Sequence, residues 1–256
     1  MTNTQITHNV ARGEFIKHYT DRARFDCELH YNRFFAEAGF TVPRIRWADE
    51  AAQTIAFTCV EGASPHQLTA HQLELCLEQL IHISQMPVPV SDGEVTERYL
   101  ATFEARYRQF MLNSGRTAGS QALALLHAQL RPLIWAGWFK DAKPTNWRFT
   151  PDGRVWLLDF DYVVPSLGIA DMSKLLLEQT SLTISEKLAM CASFAQSIGG
   201  RASRLRPEQL EQLFHLATVQ SALSVLAGQQ PVPAARANHL IAVAETSLHH
   251  LELLEL

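Results

Sequence analysis

Two periodicities divide the chain. Up to about residue 62 the apolar positions come in short runs broken by turn residues. Glu14-Phe15-Ile16-Lys17-His18-Tyr19 alternates as a strand does, and Asp21 to Ala38 carries Phe25, Leu29, Phe34 and Phe35 at helical spacing until Gly39 ends it. Strands are expected over Val42 to Ala48 and Thr54 to Val60, around the turn Asp49-Glu50-Ala51-Ala52-Gln53, and Glu61-Gly62-Ala63-Ser64-Pro65 then breaks the pattern. From Thr69 onward the period is helical. The candidate helices are Thr69 to Gln85, Glu94 to Asn113, Gly119 to Leu130, Asp171 to Gln179, Ser185 to Ile198, Pro207 to Ala227 and Pro233 to Leu254, with Ser91-Asp92-Gly93 supplying capping oxygens for the second. Leu210, Leu213, Leu216 and Ala217 form an apolar stripe that reads as core. One stretch interrupts the helices: Val155-Trp156-Leu157-Leu158 reads as a buried strand, preceded by the hairpin chemistry of Thr150-Pro151-Asp152-Gly153. The expectation is an α+β architecture, with a small N-terminal lobe over residues 1–62 and a mainly helical C-terminal lobe over 63–256.

Composition narrows the classes. The chain has 256 residues, 47% of them hydrophobic, enough to bury a full core. A net charge of −4 gives no broad electrostatic footprint for nucleic acid or an anionic membrane. No apolar run approaches the roughly 20 residues that cross a bilayer, and Met1-Thr2-Asn3-Thr4-Gln5 lacks the charged and apolar pattern of a signal sequence, so a cytoplasmic protein is expected. Cys27, Cys59, Cys76 and Cys191 lack metal-ligand spacing and read as free, buried thiols. The pair His249-His250 shows no partner at ligand spacing, which argues against metal binding there.

The candidate chemistry lies in Phe139-Lys140-Asp141-Ala142-Lys143-Pro144-Thr145-Asn146 and Leu157-Leu158-Asp159-Phe160-Asp161. Phosphoryl transfer asks a protein for a carboxylate to receive the acceptor hydroxyl's proton and for oxygen ligands to one or two magnesium ions on the nucleotide phosphates. Asp141 suits the first task. Asn146, five residues on across a proline-containing loop, can turn its amide oxygen back toward a metal near Asp141. Asp159 would emerge at the end of the apolar strand with the same metal in reach.

At these residues the chain resembles the protein-kinase-like superfamily, and its layout looks most like the aminoglycoside phosphotransferase and choline kinase branch. The resemblance implies a bilobal kinase-like fold with a reduced β lobe, ATP and Mg2+ as cofactors, and a small-molecule hydroxyl as phosphate acceptor. Asp141 and Asn146 match the catalytic loop's Asp, four residues, Asn. Lys143, in the Lys-Pro form of Ser/Thr protein kinases, would contact the transferring phosphate. Asp159-Phe160-Asp161 stands where protein kinases have Asp-Phe-Gly, so Asp161 would assist a second metal. The strand lysine that touches the nucleotide phosphates and its helix glutamate are matched in order by Lys17 and Glu28. The Val42-Pro43-Arg44 that follows the helix end is also similar to the phosphotransferase branch. Asp171 resembles the aspartate that opens the helix after the metal-binding segment, as a cap or brace. The acceptor would sit against helices of the C-terminal lobe.

The chain also departs from that pattern. Phe139 replaces the usual histidine two residues before the catalytic aspartate. The sixteen residues before Lys17 contain one glycine, Gly13, where kinases place a glycine-rich hairpin; Thr7 to Gly13 would form a clipped hairpin tip, with Arg12 and neighbouring amides over the phosphates. Lys140 reads as exposed or as neutralising phosphate, Trp135, Trp138 and Trp147 as core anchors or substrate-stacking platforms, and Arg201, Arg204 and Arg206 as a solvated basic run. Two other readings stay open: a protein Ser/Thr kinase, favoured by Lys143-Pro144, and a non-catalytic binding or regulatory protein, favoured by the poor glycine content. The acceptor and the oligomeric state are not legible; aminoglycosides, choline-like amines, sugars and nucleosides all remain.

Overall fold

The computed structural model describes residues 4–228 and 231–253, and Leu254, the expected last residue of the final helix, lies outside them. The chain forms two compact units. The first comprises residues 1–79 and 140–164, the second residues 80–139 and 165–256.

The first unit is built on a four-stranded antiparallel sheet. Strands β1 (Thr4–Asn9), β2 (Glu14–Tyr19), β3 (Ile45–Asp49) and β4 (Thr54–Thr58) lie in the order β1-β2-β4-β3. The β1–β2 hairpin closes through a 3-10 turn, Val10–Arg12, and Gly13 at φ 60°, a left-handed conformation that glycine adopts without a Cβ penalty. This is the clipped tip expected from the sequence. Between β2 and β3 runs α1 (Arg22–Glu37), whose Asp21 side chain caps the Ala23 N–H at 2.9 Å. Its inner face meets the sheet: Tyr19, Phe25, Ile55 and Phe57 are all at most 4% exposed and close with Phe15, Leu29 and Ile45 into one apolar cluster. Fully burying one such aromatic contributes about 2–3 kcal/mol.

Strand β3 begins at Ile45, three residues later than the alternation suggested. Pro43 brings no N–H to a ladder, and its carbonyl accepts from Asn32 Nδ2 of α1 at 3.1 Å, so the segment before Ile45 is held by the helix instead.

A second hairpin completes this unit. Strands β5 (Ala136–Phe139) and β8 (Val164–Leu167) pair as a separate ribbon that falls, but for Val164, in the second unit, whereas β6 (Trp147–Phe149) and β7 (Val155–Leu157) of the first unit pair antiparallel, Trp147 opposite Leu157 and Phe149 opposite Val155. The Thr150 to Gly153 turn closes β6–β7 as its composition predicts, with the Gly153 N–H donating to Thr150 O at 3.0 Å. Backbone bonds in both directions between Ala63 and Phe149, at 2.9 and 3.0 Å, fasten this hairpin to the segment after β4.

The second unit contains α3 (Asp92–Asn113), α4 (Ser120–Leu130), α5 (Ala170–Leu176), α6 (Ile184–Ile198), α7 (Pro207–Leu226) and α8 (Ala234–His250), while α2 (Ala70–Ser84) runs across the boundary at residue 79. Capping boxes start α3 at Ser91/Glu94 and α6 at Thr183/Glu186. Every residue of α7 from Leu213 to Leu223 is buried, and the helix packs against α8, α5, α3 and α6. A helix apolar on all sides is a core helix, so α7 is the axis of this unit. Among the described residues no helix is long and apolar enough to cross a membrane.

Candidate active site

All seven residues singled out by the sequence fall in the first unit, and local chain geometry explains how they meet. The β6–β7 register continues one step through the Leu158 N–H, which donates to Asn146 O at 2.9 Å. That bond places Asn146 and the Leu158-Asp159 junction side by side at the same end of the hairpin. The loop before β6 is wound on itself. The Lys143 N–H donates to Asp141 O at 2.7 Å, Pro144 opens a 3-10 turn, and Asn146 Nδ2 also donates to Asp141 O at 2.8 Å. With its amide donor spent there, Asn146 offers Oδ1 to a cation. Trp147 is fully buried beneath the loop and donates from Nε1 to Ala142 O at 3.0 Å.

Asp141 and Asp159 have φ of 59° and 65°, left-handed values uncommon for residues with a Cβ. Asp141 accepts from Lys143 Nζ at 2.8 Å through Oδ2. Burial lowers the Lys143 pKa, but the charge and hydrogen bond of Asp141, with Asp159 and Asp161 beyond, outweigh it and hold the ammonium protonated above its ordinary value.

Lys17 is the hub. It sits on β2 with 6% exposure and donates from Nζ to Glu28 Oε2 at 2.8 Å and to Asp159 Oδ1 at 2.7 Å. Burial opposes its charge, yet the two carboxylates raise its pKa above the ordinary lysine value. Burial likewise opposes the Asp159 charge, but Lys17 and then Lys143 overcome it and bring that carboxyl down to about 2. Glu28, buried on α1, does more than aim the lysine: its Oε2 also accepts the Phe160 N–H at 3.1 Å, clamping the backbone that follows Asp159. Phe160 itself is fully buried and stacks on Phe35 of α1 at 5.1 Å.

Asp161 points to the same region. Burial raises its pKa and the neighbouring Asp159 charge raises it further, with Lys17 and Arg24 opposing. Arg24 of α1, which no local pattern picks out, donates from Nη1 to Asp161 Oδ2 at 3.1 Å. The donor set of Asn146, Asp159 and Asp161, two carboxylates and an amide oxygen, fits a hard divalent cation such as Mg2+.

Several sequence expectations are revised. Lys140 is not exposed: it is 0% exposed, with its ammonium 4.9 Å from the Trp147 ring and 5.7 Å from Phe160. It braces the loop from beneath, a cation–π use of the charge. Trp135, Trp138 and Trp147 are all buried, which makes them anchors. Asp171 is not at the N-cap position of α5, which Ile169 occupies without a side-chain cap bond, but is a buried residue of the first turn, where the expected brace rather than the cap remains open to it. Cys59 is exposed and Cys27 half-buried, whereas Cys76 and Cys191 are buried, and all four thiols are free. Arg201 is tied down, donating to Ile134 O at 2.9 Å and pairing with Asp92 at 3.1 Å. His250 does have partners: it stacks on His215 with ring centroids 4.3 Å apart and lies beside Glu211. A cavity of about 530 Å³ between the end of α1 and β3, lined by Arg33, Phe40, Arg44 and Trp156 among others, contains none of the seven site residues.

The comparisons with known proteins concern the family and the fold. The family model described as "Phosphotransferase enzyme family" matches residues 11–204. Choline kinase LicA from Streptococcus pneumoniae superposes with a TM-score of 0.63 at 14% identity, over 98% of this chain and 89% of that one. A choline/ethanolamine kinase family protein from Mesorhizobium loti gives 0.62 at 14% identity, over 98% and 89%. A putative aminoglycoside phosphotransferase from Ralstonia eutropha gives 0.60 at 13% identity, over 93% and 86%. No curated protein sequence matches. The fold is thus the α+β protein-kinase-like fold, with a small sheet and a mainly helical remainder, and the chain belongs to the phosphotransferase enzyme family.

Proposed function

We propose that this protein transfers the terminal phosphoryl group of ATP to a hydroxyl of a small molecule. The observation that carries the reading is the triad Lys17–Glu28–Asp159, in which a buried ammonium is held between two carboxylates from different elements at 2.7 and 2.8 Å. An ammonium has three donors; two are fixed, so the third has one direction left to serve a phosphate oxygen. Asp141 receives the proton of the acceptor hydroxyl, and Lys143 beside it neutralises charge gathering on the transferring group. Asn146, Asp159 and Asp161 hold Mg2+, which supplies charge neutralisation on the nucleotide phosphates when bound. Arg12 and the amides of the Val10–Gly13 tip are the residues available to cover those phosphates.

The structural neighbours support the nucleotide and the acceptor class. The S. pneumoniae choline kinase has been solved with AMP, and an aminoglycoside phosphotransferase with streptomycin and ATP. The acceptor proposed here is accordingly a cationic alcohol, either an amino alcohol of the choline type or an aminoglycoside. The glycine-poor hairpin tip favours a second reading, a nucleotide-independent binding protein on the same fold.

The test is Mg2+-dependent ATP binding by calorimetry for the wild type, Lys17→Ala and Asp159→Ala. Binding that both variants lose supports the site and justifies an acceptor screen with Asp141→Asn as the inactive control. No binding by the wild type at saturating nucleotide and metal overturns the reading in favour of the second.

A further inference from the structure

The second unit contains a cluster of potential metal ligands that the phosphotransferase site does not use. Glu211 and His215 are one turn apart on α7, and His250 lies in the last turn of α8; one ligand atom from each lies within 4.8 Å of the others. His215 is 1% exposed. Its Nδ1 lies 3.1 Å from Ser247 Oγ on α8, whereas its Nε2 is buried without a hydrogen-bond partner and is 3.9 Å from Glu211 Oε1, beyond hydrogen-bonding reach. A buried polar atom left unpaired in a well-packed helix pair calls for an explanation. The arrangement is that of a metal-ligating histidine, one ring nitrogen fixed by a hydroxyl and the other presenting its lone pair to the metal.

We propose that Glu211, His215 and His250 form a binding site for a divalent transition metal of the Zn2+ type, joining α7 to α8. Two imidazoles and one carboxylate are the ligand set of a tetrahedral zinc site with a fourth position left to water; Mg2+ and Ca2+ prefer oxygen alone. His250 lies in the last turn of α8, where the negative end of the helix dipole favours a cation. The rings of His215 and His250 are stacked at 6°, with their lone pairs in parallel planes. The exposed His250 ring therefore turns about its side-chain bonds on binding, while the buried His215 keeps its orientation.

The test uses chelator-treated full-length protein titrated with ZnCl2 alone, MgCl2 as the comparison, read by calorimetry and thermal unfolding. His250→Gln and Glu211→Gln are the variants, because His250 is exposed and Glu211 only half-buried, so that their metal-free melting temperatures should equal the wild type's. The expected result is one high-affinity zinc per chain, a melting temperature raised by zinc and not by magnesium, and affinity at least about tenfold weaker in each variant. Tetrahedral d–d absorption on Co2+ addition, lost in His250→Gln, places the ion at these residues. No zinc-specific stabilisation, or unchanged affinity in both variants, overturns the proposal. The readouts need no nucleotide, so they stand apart from the phosphotransferase assignment.

Discussion

Lys17 and Asp159 are separated by 142 positions in the sequence, and their side chains meet at 2.7 Å. The contact joins strand β2 to the residue that leaves β7, and Glu28 completes it from α1 by holding the ammonium with the same Oε2 that accepts the Phe160 N–H. Folding of the first unit and assembly of its candidate site are therefore coupled through one buried charge.

Removing that charge leaves Glu28 uncompensated in the interior. Lys17→Met is expected to destabilise the protein by about 3–5 kcal/mol, measured by urea unfolding. Adding Glu28→Gln should recover part of the loss, since the buried anion is then gone. A double variant as costly as the two single changes summed would show that the pair is not energetically linked.

Acid should act on the same cluster. The Asp159 carboxyl has a folded pKa of about 2 against an ordinary value of 3.8, so its contribution to stability is complete above the ordinary value and is lost as pH falls through the folded one. Urea midpoints taken between about pH 4 and pH 2 should fall less in Asp159→Asn than in the wild type. Equal slopes would mean that Asp159 gains nothing from Lys17 in solution.

Asp141→Asn keeps the shape of the loop and removes the proton acceptor. Phosphoryl transfer should fall by roughly 10²–10⁴-fold, with nucleotide affinity close to the wild type's. Steady-state rates alongside calorimetry check this, and a parallel loss of nucleotide binding would assign Asp141 to binding.

Gly62 has φ of 122°, and a Cβ there would come within 2.2 Å of Phe149 O. Gly62→Ala should cost about 2–3 kcal/mol by forcing apart the Ala63–Phe149 bridge that fastens the β6–β7 hairpin. Thermal unfolding reads the loss, and a melting temperature equal to the wild type's would show that the bridge yields freely.

Much of this was legible in the sequence because it is local. The Ser91 cap, the Thr150–Gly153 turn and the helical stripe of α7 each depend on residues within a turn or two, and all appear as expected. Asp141, Asn146 and Asp159 were named from motif spacing, which carries register as well as chemistry, and Lys17, Glu28, Lys143 and Asp161 from the resemblance to the kinase-like superfamily. What stayed hidden depends on contacts distant in sequence. Lys140 reads as a surface lysine until Trp147 and Phe160 are seen to enclose it. Arg24 reaches Asp161 across 137 positions, and His215 meets His250 only because α8 packs on α7. The β5–β8 ribbon has strands of only four residues, too short for alternation to announce it.

The left-handed backbone at Asp141 and Asp159 puts the chain's stability at odds with its chemistry. Each such residue costs on the order of 1 kcal/mol that glycine would not incur. Selection for thermal robustness alone would drift toward glycine at both positions, and each step would delete a carboxylate of the site. The presence of aspartate at two strained positions thus gives a practical guide for engineering: a stabilising screen of this protein should hold residues 141 and 159 fixed, because under the proposed function their best-folding substitutes are its least useful ones.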